Sequence, residues 1–202
     1  MPRVSREQTD SNRAAITEAS ARLFREHGID KVSVAELMAA AGLTHGGFYG
    51  HFDSKEALAG EACRWAFGRS VERWEKRVAE KADRGAARTA LTDNYLSAQS
   101  RGSPAGLCPA TAFAVDVARE SADAPIRAAY AEGVEGLLKI LAGVQDTGAA
   151  RGDREAALAD LATMVGGLIL ARATEGRPIS DEFLRAARQR LKALRPARSS
   201  GA

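Results

Sequence analysis

Ser33-Val-Ala-Glu-Leu-Met-Ala-Ala-Ala-Gly-Leu-Thr-His-Gly-Gly-Phe-Tyr-Gly-His-Phe-Asp-Ser-Lys-Glu56 is the run from which the rest of the chain is interpreted. It opens with a capping box. The Ser33 hydroxyl can accept from the backbone N–H of Glu36, and the Glu36 carboxylate can reach back to the N–H of Ser33. Val34, Leu37, Met38 and Ala41 then share one helical face, and Gly42 supplies a residue that takes positive φ and stops the helix. After that stop, Leu43 reads as a buried turn residue. Thr44 reads as the N-cap of a second short helix carrying Phe48 and Tyr49. Two short helices joined by a glycine-containing turn form a helix-turn-helix.

Such a pair binds DNA by laying its second helix in the major groove. Small residues at Gly46 and Gly47 let the backbone come close to the groove, but they bring no side chain for reading bases, so direct readout falls on Thr44 and His45. Tyr49 and His51 are placed to donate to phosphate oxygens, which fixes register. Lys55 stands at the next helix N-terminus, where an ammonium and free N–H groups both attract phosphate. Ser33, at the start of the supporting helix, completes the candidate DNA-binding set. Phe48 and Phe52 read as core, and Glu36 and Glu56 as caps rather than catalytic acids. The plainer readings are a boundary aromatic for Tyr49 and a packing or capping residue for His51.

Gly46-Gly47-Phe48-Tyr49-Gly50-His51-Phe52-Asp53-Ser54-Lys55-Glu56-Ala57-Leu58 resembles the recognition-helix signature of the tetracycline-repressor (TetR) family of bacterial transcription regulators. Ser33 to Leu43 fits that family's preceding helix. The similarity in motif covers roughly residues 10 to 58; beyond it only length and helical content agree. The resemblance implies phosphate contacts for Tyr49, His51 and Lys55. It also implies a palindromic double-stranded operator, a homodimer, and a small-molecule effector whose binding releases a repressor from DNA.

The remainder of the 202 residues reads as all-α, with about nine helices in total. Alanine, leucine, arginine and glutamate dominate, and β-branched alternation is nearly absent, so no sheet is expected. Residues 1–53 are assigned to the helix-turn-helix domain, 54–196 to a helical ligand-binding and dimerisation domain, and 197–202 to a disordered tail. Residues 1–9 look like an arm of the kind that can enter a minor groove, or simply a loose terminus. The first helix runs from about Asp10 to His27, with Gly28 as its stop. Asp53 or Ser54 caps a helix continuing to about Lys81, and Gly85 marks the next break. Pro109 suits the first position of a helix from Cys108 to Glu120. A later helix spans Asp153 to Glu175, and Ser180 caps the last one.

The net charge is +3, but residues 1–60 hold seven Lys or Arg against eight Asp or Glu, so phosphate attraction must come from local placement. No apolar run of about 18 residues and no exported leader are seen, and the cytoplasm and the absence of a membrane partner follow as expectations. No metal-ligand spacing, phosphate loop or nucleophile elbow appears, so no cofactor, metal or enzymatic activity is expected. Trp65, Phe67, Trp74, Tyr95, Cys108, Phe113 and Tyr130 are candidates to line a ligand pocket. Cys108 heads a helix, which also raises an electrophile or redox sensor as an alternative. Leu161, Val165, Leu168, Ile169, Phe183, Leu184 and Leu191 are candidates for a dimer interface, because a helix apolar on more than one side needs more than one partner. The other alternative is a helical interaction protein that has kept this fold and lost DNA binding.

Overall fold

A computed structural model describes residues 6–103 and 108–193. Among these residues there are ten α-helices, one 3-10 helix and no strand. In chain order they are α1 (Arg6–His27), α2 (Val34–Ala40), the 3-10 helix His45–Gly50, α3 (Lys55–Ala79), α4 (Arg84–Tyr95), α5 (Ala98–Gly102), α6 (Pro109–Ala112), α7 (Ala114–Arg119), α8 (Pro125–Gly143), α9 (Ala150–Ala173) and α10 (Pro178–Ala193).

The chain forms two compact units, Met1–Ser70 with Leu107–Val134 and Val71–Gly106 with Glu135–Ala202. This division differs from the boundary expected at residue 53, because α3 runs unbroken from Lys55 and because α6, α7 and the first turns of α8 belong with the N-terminal helices.

In the first unit α1 begins at Arg6, so residues 6–9 of the expected arm are helical, while residues 1–5 lie outside the described residues. No breaker interrupts this stretch, and Gln8 Nε2 donates to Asn12 Oδ1 at 2.8 Å, a pairing that helps the early turns. Gly28 (φ +87°) and Gly42 (φ +73°) end α1 and α2 in the left-handed region that glycine tolerates. Ile16, Phe24, Leu37, Met38 and Phe48 are fully buried and form the core of the three-helix head. The turn after Gly28 is tied from a distant part of the chain, since the Ile29 N–H donates to Asp116 Oδ2 of α7 at 3.1 Å. The helix expected over Cys108 to Glu120 divides at Phe113, which caps α6 and leads into α7; Pro109 does occupy the first position of α6.

In the second unit Asp83 caps α4 by accepting from the Ala86 N–H at 2.8 Å, so Gly85 lies inside that helix rather than at a break. The long pair α9 and α10 packs closely where Gly167 stands: a Cβ there would meet the Ala187 Cβ at 3.0 Å. Leu161, Met164, Leu168, Leu184 and Leu191 are buried in this unit. Ser180 does not cap α10, which starts at Pro178; its hydroxyl donates to the Ala171 carbonyl at 2.6 Å and accepts from Arg101 Nη1 at 2.8 Å. Within α9, Asp160 is 2 % exposed and receives Arg88 Nε at 2.7 Å, Arg88 Nη2 at 2.9 Å and Gln145 Nε2 at 2.8 Å. By length and composition α9 is apolar enough to cross a membrane, a property that core helices of globular proteins share, although Asp160 and Arg172 interrupt its apolar run. Its small residues Gly166, Gly167 and the alanines disguise that apolarity in a reading by large side chains alone. The expected tail at 197–202 lies outside the described residues.

Candidate nucleic-acid interface

The capping box forms as its spacing dictates. The Ser33 N–H donates to Glu36 Oε2 at 2.7 Å, and the Glu36 N–H donates to Ser33 Oγ at 3.3 Å. Those bonds, the backbone one first, hold the Glu36 carboxyl below its ordinary pKa. A carboxyl depressed in the folded state contributes stability that is present above its unfolded pKa and is lost as pH falls through the folded value. Acid titration followed by the Ser33 amide shift is therefore expected to release the start of α2 on the acid side of the usual glutamate range, and Glu36→Gln is expected to remove that dependence.

Past Gly42, Thr44 is extended (φ −82°, ψ 145°) and makes no side-chain capping bond. It caps by position only. The second short helix is a 3-10 helix of six residues; Gly47 N–H reaches the Thr44 carbonyl at 3.1 Å, the tighter spacing of that geometry. Phe48, fully buried, anchors it. The Phe48 ring meets Tyr49 edge-on at 5.2 Å and lies stacked with Phe52 at 5.9 Å. Tyr49 is consequently held by its neighbour while remaining 73 % exposed.

Ser33, Thr44, His45, Gly46 and Gly47 are exposed, and His51 and Lys55 are half-buried. His51 Nδ1 is buried without a hydrogen-bond partner among the described residues, so Nε2 is the ring nitrogen that can serve an outside acceptor. Ser54, not Asp53, caps α3: its hydroxyl accepts from the Ala57 N–H at 3.1 Å, leaving Lys55 as the first helical residue. Arg13 of α1, which sequence reasoning did not single out, donates to the His51 carbonyl and to Glu61 of α3, with its guanidinium 4.2 Å above the Phe52 ring. Nothing local could have announced it, because its partners lie 38 and 48 residues away.

The seven pocket candidates are divided between the two units. In the first, Phe67 and Tyr130 meet edge-on at 5.5 Å, and the Tyr130 hydroxyl donates to the Ala110 carbonyl at 2.7 Å. Phe67 is pressed against α8, where a Cβ on Gly133 would come within 2.1 Å of its ring. Phe113 and Cys108 are buried and Trp65 is half-buried. In the second, Trp74 and Tyr95 are buried and meet edge-on at 6.0 Å. A cleft of about 230 Å³ in the first unit has Asp30, Lys55, Glu56, Glu120 and Pro125 in its wall and none of the seven candidates. Among the described residues no group of three or more His, Cys, Asp or Glu is arranged to hold a metal ion.

Cys108 heads a helix of only four residues, and Cys63 is fully buried, its thiol pushed up to about 12 by burial. At about pH 8 the Cys63 thiolate is scarce, and the thiolate is the nucleophile. Treatment of the native protein with a thiol-exchange reagent is expected to leave Cys63 unmodified until the chain is unfolded.

Of the interface candidates, Leu161, Leu168, Leu184 and Leu191 are spent on the packing of their own unit, at 1–6 % exposure. Val165, Ile169 and Phe183 are half-buried. The exposed large apolar side chains of α9 and α10 are Leu158, Leu170 and Ile179, each at 46 %.

These features define a class: an all-helical protein with an N-terminal helix-turn-helix whose second element presents an exposed tyrosine over a buried phenylalanine. Residues 16–62 match the family model described as bacterial regulatory proteins, tetR family. The match is confined to this segment, which carries the helix-turn-helix described above. It is 38 % identical over 58 residues to the HTH-type transcriptional repressor Rv1474c of Mycobacterium tuberculosis, a match covering 29 % of this chain and 31 % of that protein. It is 36 % identical over 58 residues to the HTH-type transcriptional regulator TtgR of Pseudomonas putida, covering 29 % of this chain and 28 % of the other. The matched stretch thus spans under a third of either relative's length. Over nearly the whole chain the fold is that of a TetR transcriptional regulator from Chloroflexus aurantiacus J-10-FL, with a TM-score of 0.76, 26 % identity, and 93 % and 95 % of the two chains covered. The relatives named are transcriptional regulators.

Proposed function

We propose that this protein is a DNA-binding transcription regulator, a repressor that binds a palindromic operator as a homodimer in the cytoplasm and is released by a small-molecule ligand. The observation that carries the reading is Tyr49, 73 % exposed on a 3-10 helix pinned by Phe48 immediately after a capped helix. A tyrosine fixed by its neighbour yet exposed beside three exposed glycines has its hydroxyl and ring edge available to a partner, and the family that this segment matches supplies that partner as DNA. Ser33, Thr44, His45, Gly46, Gly47, Tyr49, His51 and Lys55 are the proposed contact residues. The dimer is proposed to form through Leu158, Leu170 and Ile179 with the half-buried Val165, Ile169 and Phe183, because the buried leucines of the same helices have no surface left to offer. Two heads related by a two-fold axis would read two half-sites. A ligand would release them by as much as its affinity differs between the binding-competent and the incompetent conformation.

Lys55→Ala and Tyr49→Phe test the contact assignment on a duplex selected by the full-length protein from random sequence. Loss of the Lys55 ammonium is expected to weaken binding to all sequences and to reduce the slope of log affinity against log salt by about 0.9, the change for one lost phosphate contact. Tyr49→Phe, which removes a neutral donor, is expected to weaken binding with the slope unchanged. Wild-type behaviour from both variants would refute these phosphate contacts.

A further inference from the structure

Three of the six residues in the 3-10 helix are glycine, and Thr44 gives its N-terminus no side-chain bond. Such a segment has little of its own to fix where its backbone lies: glycine leaves the unfolded alternatives open, and a single short 3-10 turn is a weak element. Beyond the burial of Phe48, the segment is held at its far end. The His51 carbonyl, just past the helix, accepts from Arg13 Nη1, while Nη2 of the same guanidinium pairs with Glu61. The guanidinium carbon lies 4.2 Å from the centre of the Phe52 ring. One side chain of α1 therefore touches the end of the 3-10 helix, the aromatic that follows it and the second turn of α3.

We infer that Arg13 is a positioning residue for DNA binding, which sets the 3-10 helix at the depth and angle from which Thr44, His45 and Tyr49 can meet the groove. The inference rests on the DNA-binding reading given above. Arginine suits this role because its planar fork bonds two acceptors at once and stacks on an aromatic face, whereas a lysine ammonium is a point charge that does not reproduce the fork. Its charge is not offered to DNA, because Glu61 already pairs with it. A phosphate ligand and a positioning residue thus differ in salt dependence: loss of the first lowers the slope, and loss of the second leaves it unchanged.

The test uses full-length R13A and R13K with the duplex selected from random sequence by the wild-type protein, at a temperature well below both variants' unfolding midpoints, which are measured alongside. Both variants are expected to bind about ten- to a hundredfold more weakly, the range for one charge-assisted hydrogen bond, with an unchanged salt slope. If R13A does not fold, R13K, which keeps an aliphatic stem and a positive charge, carries the measurement. Wild-type affinity in a folded variant, full rescue by R13K, or a slope reduced by about 0.9, the mark of a direct phosphate contact, would each overturn the inference. Failure of the wild-type protein to enrich any duplex would instead remove the DNA-binding reading, and this inference with it.

Discussion

Alanine at Phe48 is expected to destabilise the first unit by about 3–5 kcal/mol and to abolish DNA binding, the range being that of a fully buried phenylalanine truncated in a core. The side chain has no exposed surface, and its ring contacts Tyr49 on one side and Phe52 on the other. Aromatic pairs of this kind add about 0.5–1.5 kcal/mol beyond area burial, so the substitution removes two ring contacts as well as buried area. A six-residue 3-10 helix with three glycines cannot persist without its anchor. Urea denaturation followed by circular dichroism measures the loss. Phe48→Leu, which keeps most of the buried volume, is expected to recover the greater part. A wild-type midpoint in Phe48→Ala would contradict the assignment of this residue as the anchor.

Asp160→Ala is expected to cost about as much in the second unit, by a different mechanism. Its carboxylate is the acceptor for both Arg88 and Gln145, and the Arg88 side chain is only 11 % exposed. Removing one partner of a buried pair strands the other charge, which costs about 3–5 kcal/mol, whereas replacing both by apolar groups can be neutral or better. Arg88 Nη1 also donates to the Leu191 carbonyl of α10 at 2.8 Å, so the lost anchor reaches a third helix. The double variant Arg88→Met with Asp160→Leu should therefore be more stable than Asp160→Ala alone. The cycle of Arg88→Met, Asp160→Leu and the double variant on unfolding free energies checks the coupling: additive losses would show that the pair is not coupled.

What could be read from the sequence was local. The capping box is an i to i+3 relation, and the stops at Gly28 and Gly42 depend on one residue each, so α2 and the ends of its neighbours could be placed from spacing. Phe48 and Phe52 were readable as core because four residues apart on one face is a local fact as well. The contacts that hold the 3-10 segment in place were not local. Arg13 joins His51 and Glu61, and Asp116 reaches Ile29 across 87 residues. No periodicity predicts which polar side chain of an exposed helix face will be used in this way. Asp160 was hidden for the same reason, inside a helix whose pattern suggested only apolar residues at its buried positions. The expected dimer interface shows a different limit: Leu161, Leu168, Leu184 and Leu191 form an apolar stripe that is buried within its own unit, and periodicity does not say whether a stripe meets its own chain or another copy. Thr44 and Ser180 illustrate the cost of reading caps by residue type, since one makes no capping bond and the other lies inside its helix bonding to α9 and α5.

The central claim, sequence-specific DNA binding through the helix-turn-helix, is tested most directly by fluorescence anisotropy of the full-length protein. Its affinity for a duplex selected from random sequence is compared with that for a scrambled duplex of the same composition, at two salt concentrations. Tight binding to the selected duplex, weaker binding to the scrambled one, and a fall in both with salt are the predicted result. Equal, weak binding to the two duplexes after repeated selection would contradict it.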